Sequence, residues 1–236
     1  MLRKPAEGRN RPVPALPAVE TIAGLLAAGG VRRSAELAAG TSLYLELLLR
    51  WNQRVSLTSL TDPAEILARH FAESFFGGEA AGIGSGKLLD VGSGAGFPAL
   101  PLVMAAPGLE AVLLEPNLKK AAFLAEVCRK LELERRVRIE RVRLEEYGGS
   151  AVGVGEFDFV TTRAVRISGD FLGHCRRLLT AGGKVVLWLG EEDAGLVEGE
   201  GGWEWGERIR IPGSARRVVV QGRPVDGGGN VSRETE

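Results

Sequence analysis

Two carboxylates and three glycines carry the chemistry legible in this chain. Asp90, Gly92, Gly94 and Gly96 stand in the run D-V-G-S-G-A-G, and Glu115 follows 19 residues after Gly96. Glycines so spaced let a backbone pass close to a ligand, because a Cβ would block the approach or forbid the required φ/ψ. The dinucleotide fingerprint G-x-G-x-x-G sets a helix N-terminus against a pyrophosphate. Here the spacing is G-x-G-x-G, and the Asp90 carboxylate precedes it. A carboxylate in that place repels a pyrophosphate and suits a cationic ligand. S-adenosylmethionine has that character, with a sulfonium, an ammonium and no phosphate. Glu115 is placed to accept hydrogen bonds from both ribose hydroxyls of an adenosine. NAD makes the same demand, so Glu115 points to adenosine and not to one reaction. A strand–helix turn with no ligand, and a surface glutamate at a strand end, satisfy the same residues taken singly.

Such a site needs a strand, a turn and a helix to hold it. Residues 87–91 read as a buried strand, and 97–105 as the helix after the glycines, with Pro98 tolerated in its first turn. Further strands are expected over 110–114, 137–140, 157–161 and 184–189, and helices over 117–131 and 169–179, with Ser168 as a cap. Residues 203–211 and 216–221 alternate as an antiparallel pair, and a weak helix is expected between residues 191 and 202. This order gives an α/β domain with a seven-stranded mixed sheet and ligands at the C-terminal strand ends. Before it, 18–28 reads as a short helix, and Ser34 or Thr41 as the cap of a second. A connector follows Trp51, with β-friendly residues 55–58. Asp62-Pro63 then opens a third helix, and the glycine-rich stretch 77–86 reads as a flexible joint. The expected organisation is a flexible basic arm (1–17), a helical extension (18–76), the main domain (77–224) and a disordered tail (225–236).

The 236 residues are 44% hydrophobic and 25% charged, which is enough for a substantial core in one medium domain. No apolar run reaches the ~20 residues of a membrane span, and the first residues lack the apolar stretch of a secretory signal. Cys128 and Cys175 form no metal-binding pattern, so reduced core cysteines in a cytoplasmic protein without metal are expected. Net charge is zero, but residues 1–60 hold eight Lys/Arg against four Glu, and 191–207 hold seven acids and no base. That segregation allows a one-sided phosphate-binding face; solvated surface charge explains it equally well.

The pattern DVGSGAG resembles the first motif of Rossmann-like, class I S-adenosylmethionine-dependent methyltransferases. Five blocks, in order, narrow the resemblance: LYLELLLRWNQRVSLTSLTDPAEILARHFAES, LLDVGSGAGFPALPL, LLEPNLKKAAFL, RVRLEEY and FVTTRAV. Over most of residues 36–190 the chain resembles the RsmG (GidB) family of bacterial 16S ribosomal RNA methyltransferases, which methylate guanine N7. The resemblance implies S-adenosylmethionine as cofactor. It also implies a single-stranded loop of small-subunit ribosomal RNA, free or in an assembling subunit, as partner of a monomer. It assigns Gly92 and Phe97 to the cofactor, Glu115 to its ribose, Leu144 and Glu145 to its adenine and Arg163 to a place beside it. Phe97 as a hydrophobic helix start, 144–145 as ordinary loop, and Arg163 paired with Asp90, Asp158 or another carboxylate are the plainer alternatives.

Phosphate contacts are expected from Arg3, Lys4, Arg9, Arg11, Arg50, Arg54, Lys119, Lys120 and Arg166, with His70 touching RNA or capping a neighbour. Guanine N7 has a lone pair and no proton, so no general base is expected. The same fold acting on a small molecule or protein, and a non-catalytic RNA-binding relative, stay open. Four positions depart from the family pattern: Ser56, Ala99, Thr162 and Leu189, the last replacing a lysine.

Overall fold

Strand alternation decides where this chain's apolar residues go. In a computed structural model, residues 14–149, 153–163 and 167–225 are described. Arg3, Lys4, Arg9, Arg11 and Arg166 lie outside them, as do most of the expected arm and tail.

The chain opens with α1 (Val19–Ala28) and α2 (Ser34–Asn52). Neither Ser34 nor Thr41 caps α2. Ser34 is its first residue, and Thr41 is buried mid-helix among Leu37, Ala38, Tyr44 and Leu45, whose shared packing carries the helix straight through. The connector after Trp51 forms no strand over 55–58, because Asn52 ties it back. Its Oδ1 accepts from the amides of Leu57 and Thr58 at 2.9 and 3.0 Å, and its Nδ2 donates to the Thr58 carbonyl at 2.9 Å. Asp62 caps α3 (Pro63–Ile66), with Oδ2 accepting from the Glu65 amide at 2.8 Å and proline in the first turn. A π-helical turn, Leu67–Ala72, leads into α4 (Glu73–Ala80).

The expected joint at 77–86 is therefore helix, then strand. Glycine serves there as a flat contact surface. A Cβ on Gly77 would come within 2.7 Å of the Trp188 indole, and one on Gly78 would overlap a Leu102 methyl. Both glycines are buried.

The remaining elements are β1 (Ser85–Val91), α5 (Ala99–Ala105), β2 (Gly108–Leu114), α6 (Leu118–Lys130), β3 (Val137–Glu140), α7 (Leu144–Gly149) and β4 (Phe157–Thr162). Then come α8 (Gly169–Leu178), β5 (Leu179–Gly190), α9 (Glu191–Glu198), β6 (Trp203–Trp205), β7 (Ile209–Arg210) and β8 (Arg217–Pro224). Asn117 caps α6 and Ser168 caps α8 through their side chains. The sheet order is β3-β2-β1-β4-β5-β8-β6; β1 to β5 pair in parallel, and β8 is antiparallel to β5. Seven strand positions hold eight strands. β6 and β7 both pair with the outer edge of β8, and the register slips by one between Trp205↔Gly222 and Ile209↔Val219. The outermost strand is thus one broken strand. Residues 180–183, between the expected helix and the expected strand at 184–189, are an irregularity inside β5: Phe157 pairs with Leu179, but Phe159 pairs with Lys184.

Consecutive strand residues face opposite sides of the sheet. Leu88, Leu113, Val186, Trp188 and Val219 join Ile22, Tyr44, Leu48, Phe71 and Phe123 in one cluster. Leu89, Leu114, Val185, Leu187 and Val220 join Leu144, Phe171, Leu172 and Val197 in the other. The N-terminal helices and the sheet therefore share one core. Cys128 and Cys175 are buried and free, with burial pushing the Cys128 thiol up to about 12. No described helix is long and apolar enough to cross a membrane.

Candidate functional site

Parallel strands leave a crevice beyond their C-terminal ends. Here β1 ends in the turn at residues 92–96. The amides of Gly92 and Ser93 both donate to the Leu114 carbonyl, at 3.0 and 3.1 Å, which ties the turn to the end of β2. Gly92, Gly94 and Gly96 all have positive φ, at 70°, 57° and 84°. They do different work. Gly92 and Gly94 are half-buried, and a Cβ on Gly94 would meet nothing nearer than the Gly92 carbonyl at 3.7 Å. Gly96 is buried, and a Cβ there would strike the Tyr44 hydroxyl and come within 2.7 Å of Leu100. Gly96 is thus required by packing from behind, and the open side of the turn belongs to the first two glycines.

Glu115 holds the turn in place. Its Oε2 accepts from the Gly94 amide at 2.8 Å, and its Oε1 from the Asn117 amide at 2.8 Å. The residue is buried. Each carboxylate oxygen keeps a second lone pair.

Asp90 does not reach the open side. It is fully buried, with Oδ1 accepting from Thr161 Oγ1 at 2.7 Å and Oδ2 without a partner among the described residues. β1 alternation turns it away from Leu89 and Val91, toward the helical side. Burial raises its carboxyl to about 7; the Thr161 hydrogen bond pulls the other way, and the nearby Glu115 charge adds to the rise.

Beyond the turn lies a cleft of about 720 Å³. Its wall includes Val91 and Gly92 from β1, Leu114 and Pro116 from the end of β2, Leu144 and Glu145 at the start of α7, and the N-terminal turn of α8. The expected Leu144 and Glu145 thus line the same cleft as Gly92. Arg143, His174 and Arg177 also line this space; Arg143 lies in the block RVRLEEY without being singled out, and no motif marked His174 or Arg177. The cleft falls within the ~300–1,000 Å³ of small-molecule sites.

Phe97 is not in this wall. It is 7% exposed and stacks on Tyr44, with ring centroids 5.4 Å apart, and on His70 at 4.8 Å, while Phe71 meets it edge-on at 5.0 Å. It anchors the helical extension to the turn. His70 belongs to the same cluster and is half-buried: its Nε2 lies 2.8 Å from Thr58 Oγ1, and its Nδ1 is buried without a partner among the described residues. Burial, helped by the Arg163 and Arg69 charges, lowers its pKa to about 3 and keeps the ring neutral.

Arg163 takes the alternative of a carboxylate partner, though the carboxylate is Glu73. Its Nη2 donates to Glu73 Oε2 at 2.9 Å and to the Arg69 carbonyl in the π-helical turn. Arg217, at the start of β8, holds the other Glu73 oxygen at 2.6 Å. Glu73 is 4% exposed; burial raises its pKa against the pull of both guanidiniums, and burial lowers that of Arg163 to about 10. Arg163 Nη1 is buried without a partner among the described residues. Glu73 and Arg163 fall in two of the quoted blocks, but no motif pairs them or marks Arg217. The available signal was an acid inside the apolar run HFAESFF, where a charge must find a partner.

Of the remaining cations, Arg50 pairs with Glu126 at 2.5 Å, while Arg54 and Lys119 are exposed and Lys120 is half-buried. Thr162 Oγ1 donates to the Val91 carbonyl at 2.9 Å, so a hydroxyl there stitches β4 to β1. Leu189 is buried in the second core cluster, where an apolar side chain fits. Ala99 is buried at the start of α5, and Ser56 is exposed.

These residues fit S-adenosylmethionine. The cleft is large enough, Gly92 and Gly94 leave a backbone cradle that a Cβ would narrow, and carboxylates stand behind it with no phosphate-binding cation in the turn.

Comparison with known proteins agrees. A sequence model of the GidB family, described as rRNA small subunit methyltransferase G, matches residues 38–199. Ribosomal RNA small subunit methyltransferase G of Xanthomonas axonopodis pv. citri is 36% identical over 194 residues, covering 79% of this chain and 87% of that one. The protein of the same name from Alkalilimnicola ehrlichii is 39% identical over 147 residues, covering 62% of this chain and 64% of its own length. Among solved structures, a SAM-dependent methyltransferase from Aquifex aeolicus superposes with TM-score 0.56 at 16% identity, over 71% of this chain and 96% of that one. A methyltransferase fold from Methanococcus maripaludis gives 0.55 at 14%, over 70% and 92%. The two structures speak for the Rossmann-like class I fold, and the sequence matches go further: this chain belongs to the GidB family, rRNA small subunit methyltransferase G.

Proposed function

We propose that this protein transfers a methyl group from S-adenosylmethionine to N7 of a guanosine in 16S, small-subunit ribosomal RNA, acting in the cytoplasm as a monomer without metal. The observation that carries the reading is Glu115 locked into the glycine turn beside the cleft, in a chain of this family. When bound, S-adenosylmethionine supplies a methyl group made electrophilic by its sulfonium. Gly92 and Gly94 give the backbone cradle, Glu115 has lone pairs left for two ribose hydroxyls, and Leu144 and Glu145 offer the wall for an adenine. Because guanine N7 carries a lone pair and no proton, the protein need only align the nucleophile and exclude water. A neutral His70 and an Arg163 occupied by Glu73 leave both as supports of the fold around the turn and not proton carriers. Arg163 follows β4, and its Nη1 is buried without a partner among the described residues.

The test is transfer of labelled methyl from S-adenosylmethionine to deproteinised small-subunit RNA and to assembling particles, with mass spectrometry of the labelled fragment. A single methylated guanosine is expected. Label confined to protein or small molecules would overturn the reading.

A further inference from the structure

A second recess lies at the start of α6, four residues after Glu115. It is a groove of about 330 Å³ lined by Arg50, Trp51, Gln53, Arg54, Val55 and Lys119. It forms where the last turn of α2 meets the first turn of α6. That first turn is fixed to the site by a short link. Glu115 accepts the Asn117 amide, and Asn117 Oδ1 accepts the amides of Lys119 and Lys120 at 3.0 and 3.2 Å. Lys119 therefore stands four residues from Glu115 on a capped, hydrogen-bonded connection.

One carboxylate shapes the opposite wall. Glu126 accepts from Arg50 Nη2 at 2.5 Å with one oxygen and from Trp51 Nε1 at 2.7 Å with the other. The indole also meets Phe123 at 5.8 Å and 62°, so its ring is held and half-buried, with the remainder turned to the groove. The pair with Glu126 largely neutralises Arg50. Arg54 and Lys119 are exposed and make no ion pair among the described residues. The groove thus offers a held aromatic ring and Val55 as an apolar floor, under two uncompensated cations.

A flat aromatic body with an anion attached is what such a recess fits. Single-stranded RNA provides both in each nucleotide, by stacking of the base and by its phosphates. An acidic peptide would answer the charge but leave the indole face unused. We propose that the groove is a subsite for one nucleotide flanking the methylated guanosine, its base against Trp51 and its phosphates against Arg54 and Lys119. The subsite rests on the RNA methyltransferase reading above.

The test uses the full chain and the double variant Arg54→Glu, Lys119→Glu. Both positions are exposed, and an acid at the start of α6 agrees with the helix dipole, so folding is preserved. Calorimetry with S-adenosylmethionine reports that the cofactor site is intact. The variant is expected to bind small-subunit RNA at least about tenfold more weakly. Two lost single-strand phosphate contacts lower the slope of log affinity against log salt by about 1.4. In the wild type, ultraviolet cross-linking is expected to join one RNA nucleotide to the peptide carrying Trp51. Wild-type RNA affinity and salt slope in the double variant, or cross-links that bypass residues 50–55, would overturn the subsite while leaving the methyltransferase reading in place. Methylation of something other than RNA by the wild type would overturn both.

Discussion

Glu115 and Asp90 are both acids at strand ends, and burial gives them different tasks. Glu115 has both oxygens engaged by backbone amides, one of them in the glycine turn. Truncating it loses any ribose contact and also frees the Gly94 amide. Glu115→Ala is therefore expected to weaken S-adenosylmethionine binding by about 1–3 kcal/mol, the cost of hydrogen-bonding groups left unpaired, read by calorimetry; unchanged affinity would remove Glu115 from the site. Asp90 was legible as a site acid from its neighbours in sequence, but the side of the strand it faces depends on register, which a local motif does not specify. Its consequence is a pH effect. Folding raises its pKa to about 7 from an unfolded value near 3.9, so from about pH 4 to 7 the folded chain holds a proton that the unfolded chain has released. Its contribution to stability is greatest below about pH 4 and is lost as pH rises through that window. His70 acts in the opposite sense. Its folded pKa is lowered to about 3, so stability is lost as pH falls from about 6.5 toward 3. The free energy of unfolding of wild type minus that of Asp90→Asn should fall by a few kcal/mol between pH 4 and 7, at about 1.4 kcal/mol for each step of one in pH. The matching difference for His70→Gln should rise over pH 4–6.5. Urea titrations at stepped pH measure both, and parallel curves would refute them.

Among the elements, those with a local signature were readable. Asp62-Pro63 and Ser168 each open the helix their sequence announces, Asn117, read as a first helical residue, caps α6, and β3 coincides with residues 137–140. What escaped was set by distant partners. The glycines at 77–78 look like a joint until Trp188 and Leu102 arrive against them from β5 and α5. The π-helical turn has no composition signal of its own; Arg163 binds its Arg69 carbonyl from just past β4, 94 residues away. Glu73 anchors that turn between Arg163 and Arg217, and a buried acid with two cations is costly to leave half-paired. Arg163→Met should lower stability by about 3 kcal/mol with an unchanged urea slope. A loss below about 1 kcal/mol would mean that the pair behaves as a surface contact.

At the scale of the whole molecule, charge and core are arranged on different plans. The run of acids after residue 190 reads as an acidic edge, yet Arg208 bridges Glu191 and Glu198, and Arg210 also reaches Glu191. Bases beyond the run offset part of it. The core is shared: Tyr44 and Phe71 of the helical extension lie in one cluster with Leu88 and Val186 of the sheet. Helices and sheet should therefore open together. Native-state hydrogen exchange is expected to give α2 and β1 amides a common opening free energy; a separately opening α2 would show the extension to be a unit of its own. The shared core also limits how such proteins can be recombined. Because α4 crosses residue 77 unbroken and Glu73 is gripped by Arg163 just past β4 and by Arg217 of β8, a head exchanged between relatives at that boundary would carry away the acid and leave two arginines behind. A workable chimaera must move residues 73–80 together with 163 and 217, so the helical extension goes with its sheet and is not a detachable part.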